Sequence, residues 1–223
     1  MNTDAMDEFL QYVTKQIQPA VDDVANLPDK SRKHVQRLIY TNLVDRFDVM
    51  VDTATLQNCR CEHLSSLATS SMTQAITEAD LLRLLMNTAN MQDAVDEKLK
   101  LALRGSVLRE RHSRKLATLF AAFDVPLNVQ HQPRVNPGTG HILASIKPQT
   151  KTMPYSICGY ADWLYARRNS VVHGGGTCRF LDNDRVQIEK LYKVKIAQSH
   201  KIKLASTTIA ATFYTDVITM LSQ

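Results

Sequence analysis

The residues of this chain with the most chemistry in the least space are Tyr165-Ala166-Arg167-Arg168-Asn169-Ser170-Val171-Val172-His173, followed directly by Gly174-Gly175-Gly176. Arginine presents a planar fork of N–H donors suited to phosphate or carboxylate. Histidine takes up and releases protons near neutral pH. An apolar segment, Tyr155 through Leu164, leads into this cluster, so a helix is expected to deliver the polar groups and to stop at the glycines, for which positive φ carries no steric cost. Arg168 and His173 are five positions apart, about 140° round a regular helix. One straight helix cannot aim both at one target. They can cooperate if the helix ends before His173, or if a two-fold dimer brings Arg168 of one chain to His173 of another. A structural role is the competing expectation: Arg167, Arg168 and His173 satisfying the last carbonyls and the dipole of a helix end.

The elements that must position this stretch read as helices. Residues 7–27 carry Phe9, Leu10, Val13, Ile17, Val21 and Val24 at helical spacing, with an interruption or kink expected around Pro19. Asp29 or Ser31 can cap the next helix, whose stripe is Val35, Leu38, Ile39, Leu43, Phe47, Met50, Val51 and Ala54, with Asn42 and Arg46 on or beside it. Thr77 and Asp80 precede a short leucine-rich helix. Asp93 to Phe123 reads as one long helix with a basic middle containing Arg109, Arg111, Arg114 and Lys115. Such a face is suited either to phosphates or to solvent. Ser206 is the expected cap of a last helix through Leu221.

Between these helices lie less regular pieces. Residues 125–154 hold Pro126, Pro133, Pro137, Gly138, Gly140, Pro148 and Pro154, and read as a long irregular loop. Asn136-Pro137-Gly138-Thr139-Gly140-His141 lacks the lysine of a phosphate loop, and His131 and His141 read as loop histidines. Alternation in 185–196 and 201–204 suggests a small β-hairpin turning near Gln198-Ser199. Cys59, Cys61 and His63 would supply part of a zinc site, but no second paired cluster completes four ligands, so no metal is expected.

The 223 residues suit a single domain, 1–223, of all-α class: a helical bundle with a small β-hairpin near its C-terminal end. No apolar run is read as approaching the ~18 residues of a membrane span. The acidic start of the chain lacks the order of a secretory signal, and four unevenly placed cysteines do not form a disulfide framework, so a cytoplasmic protein is expected. A net charge of +5 and a pI near 9.0 permit a polyanionic partner.

Arg168-Asn169-Ser170-Val171-Val172-His173 resembles the Arg-polar-xxx-His motif of the HEPN superfamily, and its place at a helix end in the C-terminal half of an all-α chain adds to the likeness. The resemblance implies a HEPN-like bundle, commonly dimeric, and a metal-independent endoribonuclease of the toxin or antiphage-defence type, with RNA as substrate and an antitoxin or sensor as a candidate partner. On the matching positions Arg168 and His173 become the catalytic pair and Asn169 their polar helper. Arg167, Arg109, Arg111, Arg114 and Lys115 are the candidate substrate-binding residues, and no cofactor is implied. RNA carries its own nucleophile, the 2′-hydroxyl, so the enzyme need only move protons and stabilise charge on the phosphorane. Position 175, where some toxins of this superfamily have a modifiable tyrosine, is Gly175. Non-catalytic members that bind RNA or a protein partner form the alternative.

Overall fold

The computed structural model describes residues 1–72, 77–87, 91–127, 134–143, 155–174 and 202–222. Nine α-helices are described: α1 (Asp4–Tyr12), α2 (Gln18–Ala25), α3 (Asp29–Gln57), α4 (Glu62–Ser71), α5 (Glu78–Asn87), α6 (Met91–Gly105), α7 (His112–Ala122), α8 (Ile157–Gly174) and α9 (Leu204–Leu221). A small antiparallel sheet of two-residue strands joins β1 (Arg134–Val135) to β2 (Ile142–Leu143) on one side and β3 (Tyr155–Ser156) on the other. The chain is thus mostly helical, as its periodicity requires.

Helix α3 is the axis of the bundle. Tyr40, Leu43, Val44, Phe47, Val51 and Ala54 recur every three or four residues and are wholly buried, so one stripe meets helices on several sides. Phe47 stacks on Tyr214 of α9 at 3.9 Å and meets Phe9 of α1 edge-on at 5.4 Å, while Tyr160 of α8 meets Phe213 edge-on at 4.9 Å. Leu116, Leu119 and Phe120 of α7 complete this core. Leu64, Ala68, Leu99 and Leu103 form a smaller one between α4 and α6, with Cys59 at its edge. Cys61 begins α4 as its cap, its sulfur accepting the Leu64 N–H at 3.4 Å.

Several expectations are corrected. The long helix at Asp93–Phe123 is broken after Gly105: a 3₁₀ turn, Val107–Arg109, redirects the chain before α7. Glycine weakens a helix interior, and the carbonyl of Ala102 is shared between the Ser106 N–H and the Ser106 hydroxyl, which competes with helix continuation. The last helix opens at Leu204, and Ser206 lies inside its first turn, with its Oγ accepting the Lys203 N–H at 3.1 Å. Residues 134–143, within the expected irregular loop, form a hairpin. The C-terminal hairpin expected at 185–204 lies outside the described residues except at 202–204, where Leu204 is already helical. On length and composition α9 is apolar enough to cross a membrane, with a mean hydropathy of 1.2, contrary to the sequence expectation. Its Phe213, Tyr214, Val217, Ile218 and Leu221 are buried in the core of the bundle. Leu38, placed on the apolar stripe of α3 by its spacing, is 55% exposed.

Candidate functional site

Helix α8 continues through Gly174, so the option of a helix ending before His173 is closed. Its buried face, Tyr160, Ala161, Leu164 and Arg167, is held by α3 and α7. Arg168 then falls on the margin of that face, one-fifth exposed, and His173 projects to the exposed side.

Arg168 is clasped by two residues. Its Nε lies 2.6 Å from Asp45 Oδ1, its Nη2 donates to Asp45 Oδ2 at 3.0 Å, and its Nη1 donates to Asn169 Oδ1 at 3.0 Å. The guanidinium also lies 5.8 Å above the Tyr165 ring. One hydrogen bond and one close ionic contact from the same carboxylate hold the fork, and among the described residues N–H groups at its outer end remain for a further acceptor. Asn169 supports Arg168 through its amide oxygen.

Beside this pair runs a second ionic group. Asp45, Asp48 and Asp52 share one face of α3, and opposite them stand His112 and Lys115, one turn apart on α7. His112 Nδ1 is 2.8 Å from Asp48 Oδ1, and Lys115 Nζ is 2.7 Å from both Asp48 Oδ1 and Asp52 Oδ1. His112 is buried and lies flat on Tyr165, 5.2 Å between centroids and 7° between planes. Tyr165 thus links the two ionic groups, with His112 against its ring and Arg168 above it. Burial acts to raise the Asp48 carboxyl, but the hydrogen bonds and charges of His112 and Lys115 outweigh it and bring Asp48 down to about 2. Burial acts to lower the Lys115 ammonium, and its two carboxylate partners more than reverse that. Asp162, raised by its burial, accepts the Ser113 N–H at 3.0 Å and satisfies one donor at the start of α7.

Two of the basic residues assigned to substrate binding lie in the interior. Lys115 is 5% exposed and neutralised by Asp48 and Asp52. Arg167 is 6% exposed, with its guanidinium 4.8 Å from the Trp163 ring and 5.4 Å from the Tyr40 ring, and its Nη2 donates to Ser206 Oγ at 3.2 Å. Burial pushes the Tyr40 phenol up to about 12 despite the nearby Arg167 charge, and its hydroxyl donates to the Leu164 carbonyl at 3.0 Å. Arg167 is therefore a pin between α8, α3 and α9. Arg109, Arg111 and Arg114 are exposed.

Asp45, Asp48, Asp52 and His112 are the residues that sequence reasoning missed. The signal was present in the acidic spacing of α3, three and then four residues, which marks one helix face. Comparison with protein-family models, with curated proteins and with solved structures returned no match.

Proposed function

We propose that this protein is an endoribonuclease in which Arg168 and His173 act on the phosphodiester of RNA across the seam of a homodimer. One observation carries the reading: Arg168 is pre-oriented at the margin of the bundle by Asp45 and Asn169, with His173 exposed farther along the same helix. A guanidinium so held can receive phosphate oxygens at its outer N–H groups. A histidine in solvent can take the 2′-hydroxyl proton or protonate the leaving 5′-oxygen. The two side chains point about 140° apart on a continuous helix, so a second chain supplies the missing partner for each. Substrate-assisted attack by the 2′-hydroxyl supplies the nucleophile without a cofactor and restricts the reaction to RNA. Arg109, Arg111 and Arg114 offer an exposed basic surface for the backbone of the substrate. A toxin or antiphage role, acting on cytoplasmic RNA, fits such an activity.

The test is incubation of the purified protein and its His173→Ala variant with total RNA in EDTA, followed by end-group analysis. Cleavage by the wild type alone, leaving 2′,3′-cyclic or 3′-phosphate ends, is the expected result. Intact RNA in both reactions favours the second reading, a non-catalytic helical module that binds a partner. The observation on that side is the apolar surface of α5, where Leu82, Leu85 and Met86 are 57%, 50% and 83% exposed.

A further inference from the structure

The helix that starts at Asp4 does not run evenly to Ala25. At Val13–Ile17 it widens into a π turn, with the Gln18 N–H reaching back to the Val13 carbonyl. The sequence supplies the cause, since Pro19 has no N–H and its ring crowds the carbonyl four residues earlier. Turns of this kind are rare and recur at binding sites. Here the widened turn faces α9, and Val13, Ile17, Gln18, Val21 and Asp22 line with Thr208, Ala211, Thr212, Thr215 and Asp216 a groove of about 270 Å³, which His141 also lines. That volume lies near the lower end of small-ligand sites.

His141 is placed there by a tightly specified turn. Asn136 Oδ1 accepts the Gly138 N–H at 2.9 Å, the Asn136 carbonyl accepts the Gly140 N–H at 2.8 Å, and the Asn136 N–H donates to the His141 carbonyl at 2.9 Å. Gly140 has φ +83° and rests against α9 so closely that a Cβ would overlap the Ile209 carbonyl oxygen. His141 Nδ1 then lies 3.1 Å from Asp216 Oδ2, and the same oxygen accepts the Ile142 N–H at 2.9 Å. Asp216 anchors ring and backbone together. With Nδ1 donating to Asp216, Nε2 is left as an acceptor.

The lining chooses among ligands. Among the described residues its charged groups are Asp22 and Asp216, with the His141 imidazole, and no lysine or arginine lines the groove. Val13, Ile17, Val21 and Ala211 give it an aliphatic wall. An anion would meet two carboxylates there, and a purely apolar molecule would strip water from them without replacing it. Among the described residues no set of three metal-binding side chains gathers, which argues against a bare metal ion. We propose that the groove binds a small organic cation, an ammonium group on a short hydrocarbon body, with Asp216 and Asp22 taking the charge and His141 Nε2 accepting an N–H. This site shares no residue with the Arg168 site and does not depend on the ribonuclease reading.

The test is calorimetric titration of the full chain at pH 8 with three probes of one shape: hexylammonium, hexanol and hexanoate. Hexylammonium should bind, hexanol at least roughly tenfold more weakly, and hexanoate not measurably. Asp22→Asn, at an exposed position, and Asp216→Asn should each weaken hexylammonium by roughly five- to tenfold, with folding checked by circular dichroism. Thr212→Tyr, which fills the groove, should abolish binding. Equal affinity for the three probes, indifference to both carboxylate substitutions, or no binding of hexylammonium at about 10 mM would each overturn the proposal.

Discussion

At the scale of single residues the candidate site turns on a carboxylate that neutralises the arginine proposed to bind phosphate. Asp45 cancels the charge of Arg168 and at the same time fixes its plane. If orientation matters more than charge, Asp45→Ala loses more than it gains. The expected outcome is RNA bound at least as well, because one negative charge is gone, with the cleavage rate reduced by about 10- to 100-fold, the range that misplacement of a reacting group produces. Arg168→Lys keeps the charge and loses the fork, so it should lose at least about 100-fold in kcat/KM. Single-turnover cleavage beside filter binding separates the two effects. Undiminished cleavage by Asp45→Ala would show that Asp45 serves the fold alone. The motif residues were legible as neighbours on one segment, but Asp45 was not, since nothing local to α3 marks which of its carboxylates meets α8.

At the scale of elements the three-helix seam of α3, α7 and α8 is held by charge as well as by apolar packing. Lys115 stands between Asp48 and Asp52, and removing it leaves two part-buried carboxylates facing one another. Lys115→Met should therefore cost about 2–3 kcal/mol, read by urea unfolding. An unchanged midpoint would mean that water replaces the ammonium at no cost. The pH dependence follows from Asp48, whose carboxyl is lowered in the folded state to about 2. Its contribution is present above the unfolded value near 4 and is lost as the pH falls from there toward 2, and it amounts to about 2 kcal/mol. Asp162, raised by burial, works in the opposite sense on acidification. The acid-side loss should accordingly be shallower in Lys115→Met than in the wild type. The basic middle expected of one long helix was misread at this scale: apolar periodicity continues across Gly105, but the redirected chain turns His112 and Lys115 inward and leaves Arg109, Arg111 and Arg114 outside.

At the scale of the whole molecule the continuity of α8 makes the proposed activity a property of two chains. Light scattering at micromolar concentration should report a dimer. A sharper measurement mixes Arg168→Ala and His173→Ala chains, each inactive alone. If each site takes Arg168 from one chain and His173 from the other, half of the dimers are mixed and carry one intact site in two, so about a quarter of wild-type cleavage returns. No recovery would place both residues of a working site on the same chain or show that each site needs all four. By itself the sequence determined most of the helical segments, the adjacency of Arg168, Asn169 and His173, and a disturbance of the first helix near Pro19, because periodicity, neighbourhood and proline geometry are local properties. Only the tertiary structure decided that Asp45 clasps Arg168, that Lys115 meets Asp52 and that His141 meets Asp216, pairs 123, 63 and 75 positions apart along the chain. The physical reason is that a helical repeat reports which residues share a face, while the partner across that face depends on how the helices cross.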